Sequence, residues 1–181
     1  MKILFTLLVT TISFNADSQT DKPTYFGAKL GYNNSNISGK DSNGDAAGYL
    51  GNEFYVGFFI ESQLKKKISL QTELIYSFTE DYNFLEVPLN IRYTIYETFW
   101  IFAGPKFDFL LDNDEDIDEA NYEFRNFGVS LDLGVQYHLS AKLFVEVRYS
   151  VGLVEQLKRD IQLDINNATR NTFRIGIGYK F

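Results

Sequence analysis

The sequence predicts an all-β fold: an eight-stranded antiparallel up-and-down transmembrane β-barrel with short periplasmic turns and longer extracellular loops. Three observations lead there. Stretches of about ten residues in which apolar and polar side chains alternate recur eight times, and a strand sends successive side chains to opposite faces. The connections between them alternate between short and long, the pattern of outer-membrane barrels. The final stretch, 172–181, sets Phe173, Ile175, Ile177, Tyr179 and Phe181 against Arg174, Gly176, Gly178 and Lys180. So apolar a strand needs a cover on each face, and lipid outside with a closed lumen inside provides both.

The strands are expected over 24–33, 52–64, 67–78, 84–96, 98–111, 124–138, 142–154 and 171–181. The first sets Phe26, Ala28, Leu30 and Tyr32 opposite Lys29, and the second sets Phe54, Val56, Phe58 and Ile60 opposite Glu61. In the third, Ile68, Leu70, Leu74 and Tyr76 oppose Glu73; in the fourth, Leu85, Val87, Leu89, Ile91 and Tyr93 oppose Glu86 and Arg92. The fifth carries Lys106 and Asp108 on its polar face. In the sixth, Phe127, Val129, Leu131, Leu133, Val135 and Tyr137 oppose Asp132. In the seventh, Leu143, Val145, Val147, Tyr149 and Val151 oppose Glu146 and Arg148, and the eighth adds Arg174 and Lys180. Tight turns fall at Lys65 and Lys66, around Glu97 and at 139–141, whereas 34–51, 79–83, 112–123 and 155–170 are the longer loops. Both termini then lie at the periplasmic, short-turn end.

The charged face decides which side is the lumen. Arg or Lys facing lipid at mid-membrane costs about 2–4 kcal/mol, so that face points inward. It holds six cations and six anions: Lys29, Arg92, Lys106, Arg148, Arg174 and Lys180 against Glu61, Glu73, Glu86, Asp108, Asp132 and Glu146. An eight-stranded barrel is only wide enough inside for side chains, and buried charge is tolerable when paired. The expectation is an ionic network filling a closed lumen.

Composition narrows the function classes. The 181 residues include no Cys and a single His, and the net charge of −7 leaves no basic surplus for a nucleic acid. No cofactor is expected. Residues 1–18 read as a signal peptide, with Lys2 followed by an apolar run and with Ala16 and Ser18 as the small residues before the cleavage site; 19–181 is one barrel domain.

The stretch Phe84-Leu85-Glu86-Val87-Pro88-Leu89-Asn90-Ile91-Arg92-Tyr93 resembles a characteristic strand of the PorT-like outer-membrane β-barrel family of Bacteroidetes. The likeness continues through Phe102-Ala103-Gly104-Pro105, Phe109-Leu110-Leu111, Asp132-Leu133-Gly134-Val135, Arg148-Tyr149-Ser150, Gly152-Leu153 and the closing Gly176-Ile177-Gly178-Tyr179-Lys180-Phe181. It implies an outer-membrane barrel and, through the family's namesake, a link to gliding and type IX secretion. It transfers no catalytic or ligand residue.

The remaining candidates favour structure over chemistry. Pro88 and Pro105 remove ladder donors and are expected at bulges or unpaired positions. His138, beside the turn containing Ser140, sits at the wrong end for surface catalysis and is expected at the membrane interface. Asp112, Asp114, Asp116, Asp118 and Glu123 match calcium-loop spacing, but Ile117 replaces the required Gly, so this run is read as a solvated loop. Lys65, Lys66 and Lys67 read as a solvated turn. Tyr25, Phe78, Tyr82, Phe84, Tyr96, Phe99, Trp100, Tyr137, Tyr179 and Phe181 are expected to form two aromatic girdles.

Tyr179 and Phe181 further resemble the terminal signal read by barrel-assembly machinery, a partner expected during biogenesis alongside outer-membrane lipid. The functional expectation is a structural or interaction protein acting through surface loops, not an enzyme. One alternative is a secretion or gliding component with envelope partners. The other is a soluble lipocalin-like binder, with its apolar face turned inward.

Overall fold

The computed structural model describes residues 22–40, 46–78, 83–111, 127–154 and 166–181. The signal peptide and the acidic calcium-like run lie outside these, as does Tyr82. Eight strands form: β1 (Thr24–Lys40), β2 (Ala46–Lys65), β3 (Ile68–Phe78), β4 (Asn83–Thr94), β5 (Phe99–Leu110), β6 (Phe127–His138), β7 (Leu143–Gly152) and β8 (Asn166–Lys180). Each pairs antiparallel with its neighbour in sequence, and β1 pairs with β8, so the sheet is a closed barrel. At the seam the Phe181 N–H donates to the Phe26 carbonyl at 2.9 Å.

Register fixes the shape. Following ladder partners once around, Thr24 leads to Ser62, Leu70, Ile91, Ala103, Leu133, Tyr149, Phe173 and back to β1 at Asn34, ten residues further along. A ten-residue stagger over eight strands, with about 3.3 Å per residue and about 4.8 Å between strands, tilts the strands by about 40°. That is steep enough to bring residues distant in sequence to one level of the lumen.

The apolar face is outside. Phe58, Leu30, Ile91, Leu133 and Ile175 are exposed, while among the described side chains the inward positions on the alternate parity, from Lys29 to Lys180, are buried or nearly so. This rules out the lipocalin arrangement, in which the same residues would line the interior. Parity also corrects the girdle assignment. Phe84 and Trp100 share their faces with Glu86 and Lys106 and point inward, whereas Tyr25, Phe78, Tyr96, Tyr137, Tyr179 and Phe181 are exposed.

Two further expectations change. The first loop is shorter than 34–51: β1 and β2 stay paired out to Lys40 opposite Ala46, and β8 starts at Asn166 rather than 171. The Asn, Ser and Gly residues there satisfy their backbone through the ladder beyond the apolar band, where no alternation in hydrophobicity is needed to hold a strand. Pro88 and Pro105 mark unpaired positions and no bulge, Pro88 in the β3–β4 ladder and Pro105 in the β4–β5 ladder. On one side the β3–β4 ladder lacks partners between Thr72–Leu89 and Ile75–Glu86. On the other, the β4–β5 ladder lacks them between Pro88–Lys106 and Ile91–Ala103. Register is the same before and after both gaps, because each proline's missing N–H removes bonds without inserting a residue. Gly104 faces this gap, and a Cβ there would come within 1.9 Å of the Leu89 carbonyl oxygen.

Candidate functional site: the ionic lumen

Period-two alternation delivers one row of inward side chains per strand, and these rows meet at the barrel axis. The structure buries all twelve charged residues named from the sequence and adds two, Glu53 on β2 and Arg170 on β8. Among the described residues, seven cations thus face seven anions. Glu53 has the parity of Tyr55 and Glu61, a signal the sequence offered; Arg170 lay in a segment read as loop, and continuing the even parity of Thr172 and Arg174 would have found it.

The charges form three layers. Near the short turns, Glu61 Oε2 meets Arg92 Nη1 at 2.7 Å and Lys180 Nζ at 2.8 Å. In the middle, Arg148 reaches Glu73 at 2.7 Å, Asp132 at 2.8 Å and Glu146 at 2.8 Å, while Lys29 lies 3.0 Å from both Glu73 and Glu146. In the third layer Glu86 pairs with Arg174 at 2.7 Å and Lys106 at 3.3 Å. Lys106 also meets Asp108 at 3.1 Å, and Arg170 pairs with Glu53 at 2.7 Å. The first layer carries one excess positive charge, the second one excess negative charge, and the third is neutral. Gln136 joins the unbalanced pair of layers, accepting a hydrogen bond from Arg92 and donating one to Glu146. Asn33 belongs to the third layer: its Nδ2 donates to Glu53 at 3.1 Å and its Oδ1 accepts from Arg174 Nε at 2.7 Å.

Register alone would oppose like charges. Arg148 stands directly across the ladder from Arg174, and Glu86 from Asp108. Such pairs destabilise a sheet when nothing intervenes. Here each arginine reaches carboxylates on other strands, and Lys106 lies between the two acids, so the lumen relieves a conflict that the wall imposes. The paired side chains are at most 1 % exposed except Lys180, at 9 %, so water screens these interactions little.

Aromatic rings complete the packing. Guanidinium carbons sit over rings at 3.9 Å for Arg170 on Phe84, 4.3 Å for Arg92 on Trp100, 4.4 Å for Arg174 on Tyr55 and 4.9 Å for Arg148 on Phe102. Cation–π attraction strengthens when the cation is desolvated, as here. Room for the rings comes from glycine. Phe59, Phe102 and Phe144 each lie opposite a ladder partner without a side chain: Gly27, Gly134 and Gly178. A Cβ at any of the three would come within 2.2 Å of the facing ring.

His138 departs from the expected interfacial position. Even parity on β6 turns it inward, between Trp100 at 4.8 Å and Phe144 at 5.4 Å between ring centroids. Its Nε2 is buried without a hydrogen-bond partner. Ser140 is engaged in the turn, where its Oγ accepts from the backbone N–H groups of Lys142 at 3.3 Å and Leu143 at 3.1 Å. The two side chains have separate structural roles, and the described residues contain no His, Cys, Asp and Glu grouping suited to a metal ion.

A closed antiparallel barrel with an apolar outer wall and an ionic interior defines a small integral protein of the outer membrane. The chain belongs to the family described as outer membrane protein beta-barrel domain, which matches it over residues 4–181. Similar solved structures share the fold at low identity. OprG of Pseudomonas aeruginosa is 13 % identical with a TM-score of 0.53, covering 88 % of this chain and 97 % of that one. Neisserial surface protein A is 11 % identical with a TM-score of 0.52, covering 87 % and 97 %. Ail of Yersinia pestis, in complex with the heparin analogue sucrose octasulfate, is 13 % identical with a TM-score of 0.51, covering 87 % and 99 %. No curated protein sequence matches this chain.

Proposed function

We propose that this barrel is a non-conducting structural or interaction protein of the outer membrane, without enzymatic activity, whose contacts are made by the connections opposite the short turns. The observation that carries this reading is the filled, ion-paired lumen: among the described residues fourteen buried charged side chains, each with a partner of opposite sign, and the rings between them occupy the axis in three layers. An ion crossing it must break several buried pairs at once, each break leaving an uncompensated charge. Purified protein reconstituted in planar bilayers is therefore expected to show no steady single-channel current. Large, stable conductance would end this reading.

The resemblance to the PorT-like family of Bacteroidetes supports a second reading, a component of the gliding and type IX secretion machinery with envelope partners. The Phe84–Tyr93 stretch bears on how far that likeness reaches. Its inward residues Glu86, Pro88, Asn90 and Arg92 are buried in the lumen, so the shared phrase encodes wall and core and not a docking surface. A deletion strain that secretes and glides normally would remove this reading and leave the first intact. Tyr179 and Phe181, exposed at the seam, are the proposed assembly signal. A Phe181-deleted form reaching normal outer-membrane levels would count against that role.

A further inference from the structure

The outer wall has a notch over Ala28. Across β2, β1, β8 and β7 a row of ladder partners reads Phe58, Ala28, Tyr179 and Leu143. Ala28 is the small member, and its large neighbours stand out around it. The resulting groove, about 340 Å³, is lined by Ala28, Leu30, Val56, Phe58, Ile177 and Tyr179, with Leu143 at its lower end and backbone at Gly57 and Gly178 as floor. Its exposed surface is almost wholly hydrocarbon, and it opens to the lipid side of the wall.

A cation stands at the end of this groove. Lys142 directly precedes Leu143 in the β6–β7 turn, which Ser140 holds through its two accepted hydrogen bonds. The Lys142 Nζ lies 5.7 Å from the centroid of the Tyr179 ring, on the groove's own rim, and among the described residues no carboxylate pairs with it. The surrounding rim has the same sign. Lys22, Lys65, Lys66, Lys67 and Lys142 are exposed at the short-turn end, with Glu97 as the exposed acid there. In a barrel whose short turns are periplasmic, this level is the inner leaflet's headgroup zone.

The geometry points to a binding site for an anionic glycerophospholipid of the inner leaflet. One acyl chain fills the notch over Ala28, between Phe58 and Tyr179, and the phosphate-bearing headgroup meets Lys142. The notch supplies a shape that ordinary, mobile lipid does not need, and the lysine supplies a charge preference that shape alone does not. The site stands independently of whether the lumen conducts.

The test uses the mature barrel exchanged from nanodiscs containing equal phosphatidylglycerol and phosphatidylethanolamine, with retained lipid counted by native mass spectrometry. The folded protein is expected to hold one phosphatidylglycerol about fivefold in preference to phosphatidylethanolamine, the selectivity one interfacial lysine confers. Ala28→Phe, or the milder Ala28→Leu, fills the notch and abolishes retention of that lipid. Lys142→Gln keeps a lipid but brings the ratio to about one. Leu133→Phe, on a distant part of the wall, alters neither, and added inorganic phosphate does not compete. Heat-modifiable gel mobility verifies folding of each variant. Retention unchanged in both Ala28 variants, a preference surviving Lys142→Gln, or no headgroup preference in the parent protein would each overturn the site.

Discussion

The two faces of each strand obey different rules. Outside, away from the notch over Ala28, Phe, Leu, Val, Ile and Tyr follow one another with no partner specified, because lipid accepts any apolar shape. Inside, each position has named neighbours: Arg148 meets three acids from β3, β6 and β7, and Phe102 lies over Gly134. Side chains separated by one position in sequence thus differ in how far they are specified. The outer face fixes the compartment and the inner face fixes the structure.

The largest effect that would sharpen this contrast is Arg148→Ala. It leaves Glu73, Asp132 and Glu146 with Lys29 as the cation remaining in their layer. Removing one partner from a buried ionic cluster costs about 3–5 kcal/mol. Urea unfolding followed by heat-modifiable mobility is expected to show a loss of that size, and a loss under about 1 kcal/mol would mean the lumen is hydrated and loosely paired.

A middle effect tests shape within the same face. Gly134→Ala places a Cβ within 2.2 Å of the Phe102 ring, and overpacking costs about 1–3 kcal/mol. Adding Phe102→Leu is expected to recover part of that loss, because the nearest clash is with the ring, while the Val147 carbonyl oxygen stays within 2.7 Å; no recovery would assign the cost to that backbone contact. The smallest effect lies one residue away, on the other face. Leu133→Val is expected to shift stability by less than about 0.5 kcal/mol, since an exposed apolar residue is exchanged for another. A Leu133→Val cost comparable to that of Gly134→Ala would break the distinction between the faces.

The same distinction explains what was legible in the sequence. Alternation assigns faces, so the burial of residues such as Glu86, Arg92, Asp132 and Arg174 follows from parity and the cost of charge in lipid. Parity also places His138, Phe84 and Trp100 inward, but aromatic character suggested the interface instead, and the periodicity was the better guide. Strand ends were less legible. Beyond the apolar band the ladder runs on through polar residues, which is why β1, β2 and β8 are longer than their hydrophobic patterns and why Arg170 was missed. Pairing across the lumen was not legible at all. That Arg174 on β8 meets Glu86 on β4 depends on the ten-residue stagger, a sum over every turn in the chain.

The seam between β1 and β8 has a consequence for how the molecule is made. Its ladder joins Gly27 to Lys180 and Ala28 to Tyr179, contacts that span most of the chain. Joining such distant segments is entropically costly and slow, so neighbouring hairpins form earlier and closure comes late. Until then both seam strands carry unpaired edges, and Lys29 on β1 is still separated from Glu146 on β7. A nascent chain is thus an open, adhesive sheet with its central charges uncompensated, and the step that removes its free edges also completes its electrostatics.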